Sequence, residues 1–332
     1  MHSTFAAIVV RKNENRFIQN IEERRISDLP DNDVLIKVCY SSLNYKDCMS
    51  YMGNLGVTRK FPHTPGIDVA GVVVSSKTKT YKEGDHVFVV SQALGMSMPG
   101  GFGEYVSCPS EWLLPIPQGM TLKECMIFGT AGLTAAFAVN EILKSNPEVE
   151  ASEMIVSGAT GGVGLLSIAI LSKLGFKVSA LTGKDYANEL LSMAGADKIL
   201  DRSSVNDLSD RGLLSPQWNF AIDTVGGSVL STFLRSGRQE STVIATGLVS
   251  SQILNTSLLP FILRGVRLIG INSEGKSIND RREIWSRLAA EWKPDNLEAL
   301  TNEVSLGNLG GSVDKMLSGA HLGRTVVNLN LT

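Results

Sequence analysis

The segment Ser157-Gly158-Ala159-Thr160-Gly161-Gly162-Val163-Gly164 constrains this chain more than any other. It holds an Ala-x-Gly-x-x-Gly pattern at Ala159, Gly161 and Gly164. A short apolar run, Met154 to Val156, precedes it, and a helical pattern that Gly175 ends follows it. Small residues at these positions permit a tight turn and let backbone N–H groups approach a pyrophosphate. The last glycine lets helix and strand pack closely, and the helix N-terminus adds partial positive charge. A glycine-rich turn without a ligand is the alternative reading. The flanking strand and helix are the context that favours the dinucleotide fingerprint.

The rest of the second half agrees. Runs at 177–181, 198–200, 220–223, 242–245 and 267–271 predict strands, and 186–194, 229–234 and 258–263 predict helices between them. Such alternation implies a parallel sheet with helices on both faces. An amphipathic helix is expected over 278–292. The first part reads mostly as β, with strands at 6–10, 33–40, 69–75 and 86–90 separated by Gly, Pro and Asp turns. Helix-prone stretches begin at Thr121 and Gly129. The last strand, 325–329, is expected to return to the first region.

Composition excludes several classes. The 332 residues suit two domains at about 150 residues each. With 43% hydrophobic and 19% charged residues the chain is too apolar for disorder. A net charge of −2 leaves no basic footprint for nucleic acid. No uninterrupted run approaches the ~18 apolar residues of a membrane helix. The first residues lack a cationic segment and a full apolar core, so they predict a strand rather than a signal peptide. Four cysteines show no Cys-x-x-Cys spacing, which argues against a disulfide framework and makes a reducing cytoplasm the default.

The end of the second predicted strand bears on cofactor choice. An acidic residue about 20 residues beyond the glycines holds the ribose 2′-hydroxyl in NAD binders. Here Leu181 is followed by Thr182-Gly183-Lys184. A hydroxyl and an ammonium suit a 2′-phosphate, and Arg202 after the third strand offers a second cation. Asp185 is read as a helix N-cap ahead of Tyr186. NADPH is the expected cofactor, against the plainer reading of Lys184 and Arg202 as solvated charges.

No metal site is expected. The segment Pro65-Gly66-Ile67-Asp68-Val69-Ala70-Gly71 is similar to the Gly-His-Glu segment of zinc alcohol dehydrogenases, whose ligand positions fall here on Asn44 and Ile67. Neither is a plausible zinc ligand. His2, His63, His86 and His321 are scattered.

These pieces together resemble the medium-chain dehydrogenase/reductase superfamily over essentially the whole chain. The closer match is its zinc-free YhdH/YhfP group of quinone oxidoreductases, which includes NADPH-dependent acryloyl-CoA reductases. Ser41-Ser42-Leu43-Asn44-Tyr45-Lys46-Asp47 and Pro260-Phe261-Ile262-Leu263-Arg264 are the specific matches. The resemblance implies an α/β fold: a GroES-like β-rich catalytic domain over 1–127 and 275–332, and a Rossmann doubly wound parallel-sheet domain over 128–274 for NADPH. It implies that Tyr45 is the active-site tyrosine beside the nicotinamide and that Thr160, Gly161, Gly162 and Val163 cover the pyrophosphate. Thr182, Gly183, Lys184 and Arg202 would clamp the 2′-phosphate. Leu248, Ile262 and Ser273 would make further cofactor contacts. The group often has Asp-Ser where this chain has Asn272-Ser273, and an asparagine where it has Met316-Leu317-Ser318.

The implied activity is NADPH-dependent reduction of an activated C=C bond, as in acryloyl-CoA, a related 2-enoyl-CoA or an enone, by a cytoplasmic homodimer. NADPH:quinone oxidoreduction is the alternative on the same scaffold. An NADPH-binding regulatory protein with little turnover is the alternative from another class. Tyr45 could stabilise the enolate oxygen or donate a proton, or it could be a core tyrosine with a satisfied hydroxyl. Arg264, Arg267, Arg281, Arg282 and Arg324 are the cations available to the phosphates of a CoA thioester.

Overall fold

The computed structural model describes residues 4–14 and 16–331. In chain order the first elements are β1 (Thr4–Asn13), β2 (Arg16–Arg25), β3 (Val34–Ser42), α1 (Tyr45–Tyr51), β4 (Val69–Ser76), β5 (His86–Val89), β6 (Tyr105–Cys108) and β7 (Leu114–Pro115). Helix α2 (Leu122–Leu143) leads to β8 (Met154–Ser157), α3 (Gly162–Lys173), β9 (Val178–Thr182), α4 (Asn188–Met193), β10 (Lys198–Asp201) and α5 (Arg202–Val205). Then come β11 (Trp218–Asp223), α6 (Gly227–Arg235), β12 (Gly237–Ala245), α7 (Leu259–Arg264), β13 (Arg267–Gly270) and α8 (Ile278–Leu288). The chain ends with β14 (Thr301–Ser305), α9 (Leu309–Leu317) and β15 (Arg324–Asn328). His2 lies outside the described residues.

Two compact units emerge, Met1–Thr130 with Thr301–Thr332, and Ala131–Leu300. The first is the β-rich, GroES-like one. Its larger sheet runs β14-β15-β3-β4-β5-β7, with β6 also pairing β3. All pairs are antiparallel except β14 with β15. Period-two alternation explains β3: Val34, Ile36 and Val38 enter a core with Val69, Val73, Val87 and Val106, while Lys37 faces water. As expected, β15 returns and pairs with β3 in the register Val327 to Ser41. A separate antiparallel ribbon of β1 and β2 includes a strand the sequence pattern missed.

The second unit is a six-stranded, all-parallel sheet in the order β10-β9-β8-β11-β12-β13. This is the doubly wound Rossmann order, whose switch point lies at β8 and β11. Strand β8 is buried throughout and α3 buries Leu165, Leu166, Ile168, Ile170 and Leu171. That is the pattern of a strand and helix covered on all sides. Gly175 and Gly195 close α3 and α4 at φ +88° and +87°, where a side chain would be strained.

This unit runs to Leu300, so residues 275–300 fall within it rather than in the first domain. The reason is packing: α8 buries Ile284, Trp285 and Leu288, and Arg287 reaches the Asn140 side chain at 3.2 Å. Beyond it, Asp295 receives Lys173 at 2.6 Å. Helix α2 is long and apolar enough to cross a membrane by length and composition, but most of it is buried in the fold. Gly129 breaks it at φ +51°, ψ −152°.

Candidate functional site

The phosphate corner is built at the carboxyl end of β8. Gly158 takes φ +56°, and a Cβ there would stand 2.1 Å from Thr224 Oγ1. Ser157 Oγ donates to Asp223 Oδ1 at 2.6 Å, and the Gly226 amide donates to Asp223 Oδ2 at 2.7 Å. Burial pushes the Asp223 carboxyl up. Gly161 is the extended N-cap of α3, and no side chain caps the helix. The half-buried amides of Gly162 and Val163 therefore open the helix without an intrahelical acceptor, the arrangement that receives an anion. A Cβ on Gly164 would meet Gly158 O at 2.4 Å, so the close packing the motif implies is real.

The candidate clamp gathers at the end of β9. The Lys184 amide donates to Thr182 Oγ1 at 3.1 Å. In the β9–β10 register Asp201 stands opposite Thr182, and Arg202 follows it. The Arg202 guanidinium lies against Gly183, whose Cβ, if present, would be 3.2 Å from Nη2. Burial lowers the Lys184 ammonium from its usual range. Asp201 is turned to its own chain, accepting the Ser203 amide at 2.7 Å. No carboxylate ends β9. Asp185 starts a short 3-10 turn instead of capping it; the N-cap is Lys184.

Gly247 approaches Thr224 so closely that a Cβ would be 2.2 Å from its carbonyl oxygen, and the Ser250 amide donates to Val225 O at 2.8 Å. Leu248, exposed, thus stands beside the β8 and β11 ends. Thr160 to Val163, Thr182 to Lys184 and Arg202 lie at or just beyond the carboxyl ends of the neighbouring strands β8, β9 and β10, and Leu248 follows β12. Ile262 is exposed on α7, and Ser273 follows β13, its hydroxyl paired with Thr134 Oγ1 at 2.8 Å. Among the described residues no hydrogen bond ties either to the turn.

Of the five cations considered for a CoA thioester, four donate to backbone carbonyls. Arg264 donates to Arg235, Gly237 and Leu214, Arg281 to Ser273 and Glu274, and Arg324 to Ile127 and Leu43. Arg267 and Arg282 are exposed, and Arg267, at the start of β13, donates to Ser145 Oγ at 3.3 Å and to Glu240 O at 3.4 Å.

In the first unit Tyr45 opens α1 and is 45% exposed. Among the described residues no hydrogen bond is made to its hydroxyl, and its exposure argues against a buried core tyrosine. Behind it lies a buried polar cluster that the sequence did not reveal. Asp68 Oδ2 accepts Ser42 Oγ at 2.6 Å, Asn44 Nδ2 at 2.9 Å and the Thr130 amide at 2.8 Å. Its Oδ1 accepts Thr130 Oγ1 at 2.5 Å. Asp47 Oδ2 accepts the Asn44 amide at 2.8 Å, and Oδ1 accepts the Ile67 amide at 2.8 Å. Burial first, then the neighbouring Asp68, pushes the Asp47 carboxyl up to about 7. Arg324 is fully buried; desolvation lowers its pKa, and Nη1 donates to Asn44 Oδ1 at 3.3 Å.

The residues at the two zinc positions do not fit a metal. Ile67 offers no donor atom, and the Asn44 side chain is spent on Asp47, Asp68 and Arg324. His63 is buried, His321 is paired with Thr325 Oγ1 at 2.8 Å, and His86 is exposed at the start of β5. The four cysteines are free thiols.

Comparison with known proteins agrees with both units. Residues 30–118 match the alcohol dehydrogenase GroES-like domain, and residues 162–290 match the zinc-binding dehydrogenase domain. The chain is 38% identical over 330 residues to YhfP of Bacillus subtilis, named as a quinone oxidoreductase, covering 99% of this chain and 100% of that one. The structure of YhfP, solved with NAD bound, superposes with a TM-score of 0.94 over 98% of this chain and 99% of that one. The acrylyl-CoA reductase AcuI of Ruegeria pomeroyi is 36% identical, with 98% and 99% covered. YhdH of Escherichia coli K-12, solved with NADPH, is 34% identical with a TM-score of 0.93, covering 98% of this chain and 100% of that one.

Proposed function

We propose that this chain, which belongs to the medium-chain dehydrogenase/reductase superfamily and its quinone-oxidoreductase-like group of YhfP, YhdH and AcuI, reduces an activated carbon–carbon double bond with NADPH. Acryloyl-CoA or a similar 2-enoyl-CoA or enone is the substrate class. The observation that carries the reading is Tyr45: a half-exposed tyrosine with an unpartnered hydroxyl, opening a helix anchored in a buried polar cluster.

The residues fit the cofactor. The uncapped start of α3 with Thr160, Gly161, Gly162 and Val163 would take the pyrophosphate. Thr182, Gly183, Lys184 and Arg202 would hold the 2′-phosphate, a choice supported by the absence of a carboxylate at the end of β9. That YhfP was solved with NAD makes this clamp the point to test. Leu248 would line the nicotinamide, with Ile262 and Ser273 as outlying contacts. When bound, NADPH supplies the hydride. Addition at the β-carbon of the substrate places negative charge on its carbonyl oxygen. The Tyr45 hydroxyl would donate a hydrogen bond to that oxygen, or deliver the proton that completes the α-carbon. A metal is not part of this reading, because the donor set at Asn44 and Ile67 does not suit one.

Quinone reduction is the second reading, favoured by the name of YhfP. A cytoplasmic homodimer is proposed on two grounds. The free cysteines suit a reducing compartment. Strand β13 leaves one edge of its sheet open beside exposed Leu263 and Leu268.

Tyr45→Phe tests the reading. It keeps the ring and removes only the hydroxyl, so NADPH affinity should hold. The single-turnover rate with saturating enone should fall about 10²–10³-fold, the usual effect of losing one preorganised donor. A rate within about twofold of the parent would make Tyr45 scaffold.

A further inference from the structure

We propose that Asp68, together with Arg324, is the positioning device that holds the N-terminus of α1, and with it Tyr45, in one place. The inference rests on the reading of Tyr45 given above. The Asp68 carboxylate is fully buried and collects four donors from two separate parts of the chain: the turn from β3 to the N-cap of α1, and the break in α2. Arg324, from β15, closes the same ring by donating to Leu43 O at 3.1 Å, to Asn44 Oδ1 at 3.3 Å and to Ile127 O at 2.7 Å. The convergence is on Asn44, the residue immediately before Tyr45. Asn44 gives its amide to Asp47 and its side-chain NH2 to Asp68, and its side-chain oxygen takes Arg324, so each end of the amide group is fixed.

Two uncommon backbone conformations serve the same carboxylate. Gly129 breaks α2 at φ +51°, and the break delivers the amide and hydroxyl of Thr130 to Asp68. Ser91 sits at φ +53°, and its Oγ donates to Thr130 Oγ1 at 2.8 Å. Gly129 takes its conformation at no steric cost, but that of Ser91 persists only where its surroundings over-determine it, and such residues gather at functional sites. A buried ionic network is a poor source of stability, since apolar packing of equal volume does as well or better. What it does provide is directionality: each bond has a required angle, and together they admit one arrangement. Beneath a residue meant to present a hydroxyl at a fixed point, that is the useful property.

The test uses the full chain, with Asp68→Asn, Thr130→Val, Tyr45→Phe and the Tyr45→Phe/Thr130→Val double variant. Thr130→Val keeps the carboxylate and removes one donor, so it carries the test should Asp68→Asn not fold. Without cofactor, amide exchange across Tyr45–Tyr51 should quicken by about tenfold or more in the positioning variants, while β8 and β11 keep their protection. With NADPH and acryloyl-CoA, the single-turnover rate of Thr130→Val should fall by about tenfold at an unchanged NADPH Kd. The double variant should be no slower than Tyr45→Phe alone, because Asp68 acts through the tyrosine. Unchanged exchange in α1, or additive losses in the double variant, would overturn the proposal. Should Tyr45→Phe react at the parental rate, the donor role of Tyr45 falls, and with it the link from Asp68 to reaction. The exchange measurement would then still decide whether Asp68 holds α1.

Discussion

Removing the cations at the end of β9 should separate the two nicotinamide cofactors. Lys184 and Arg202 stand on either side of Gly183, with the Arg202 guanidinium against its backbone and the Lys184 amide locked to Thr182 Oγ1 at 3.1 Å. A charge-assisted hydrogen bond to a phosphate is worth roughly 1.5–3 kcal/mol, or about 10- to 150-fold in affinity. Arg202 is exposed, so its loss belongs at the low end, about tenfold. Lys184 is half-buried, and its depressed ammonium reflects desolvation that a bound phosphate would offset, so its loss belongs nearer a hundredfold, about 2.7 kcal/mol. The two share one ligand group, so the double alanine variant should lose less than the product. Fluorescence titration with NADPH and NADH reads both affinities on one protein. NADPH binding should weaken by these factors in Lys184→Ala and Arg202→Ala while NADH changes little. Equal weakening with both cofactors would refute the clamp and make these residues ordinary surface charges.

Gly129→Ala should destabilise the chain by several kcal/mol. Its Cβ would stand 2.5 Å from Asp68 Oδ2 and 2.7 Å from Ser42 Oγ, and the backbone there is one that alanine adopts only under strain. Strain of about 1–3 kcal/mol adds to the loss of a charge-assisted bond of similar size; a urea midpoint equal to the parent's would contradict this. The folded chain should also lose stability as pH rises from about 4 toward 7, through Asp47. Its carboxyl is raised from 3.8 to about 7, so within that window the folded state holds a proton that the unfolded state has released. Denaturation at pH 5 and pH 8 should show a smaller drop in Asp47→Asn than in the parent, and equal drops would count against the burial argument.

The second unit was largely legible in the sequence because its strands are short apolar runs punctuated by glycines. Each of its six strands overlaps a predicted one. Strand β12 was seen only from Thr242, because its opening Gly237-Arg238-Gln239-Glu240-Ser241 is polar. Strand β2 was missed for a stronger form of the same reason: Arg16 to Arg25 buries none of its side chains, so no apolar alternation marks it. The placement of 275–300 could not be read because an amphipathic helix states that it has a buried face, not which core receives it. The polar cluster was the least legible. Asp68 and Arg324 were visible one at a time, as part of the segment similar to Gly-His-Glu and as one of five candidate cations. Asp68 and Arg324 meet at Asn44, and Thr130 meets Asp68, through segments far apart in the chain.

The choice of acceptor decides between reduction of an activated double bond and reduction of a quinone. Purified protein, NADPH and a matched series of acryloyl-CoA, a simple enone and a benzoquinone, followed by absorbance, give kcat/KM for each. Acryloyl-CoA should be preferred over the quinone by at least about tenfold, a difference of ~1.4 kcal/mol in transition-state binding. A preference for the quinone would move the activity to the second reading. Tight NADPH binding with no oxidation by any of the three would refute a reductase role and leave a nucleotide-binding protein without turnover.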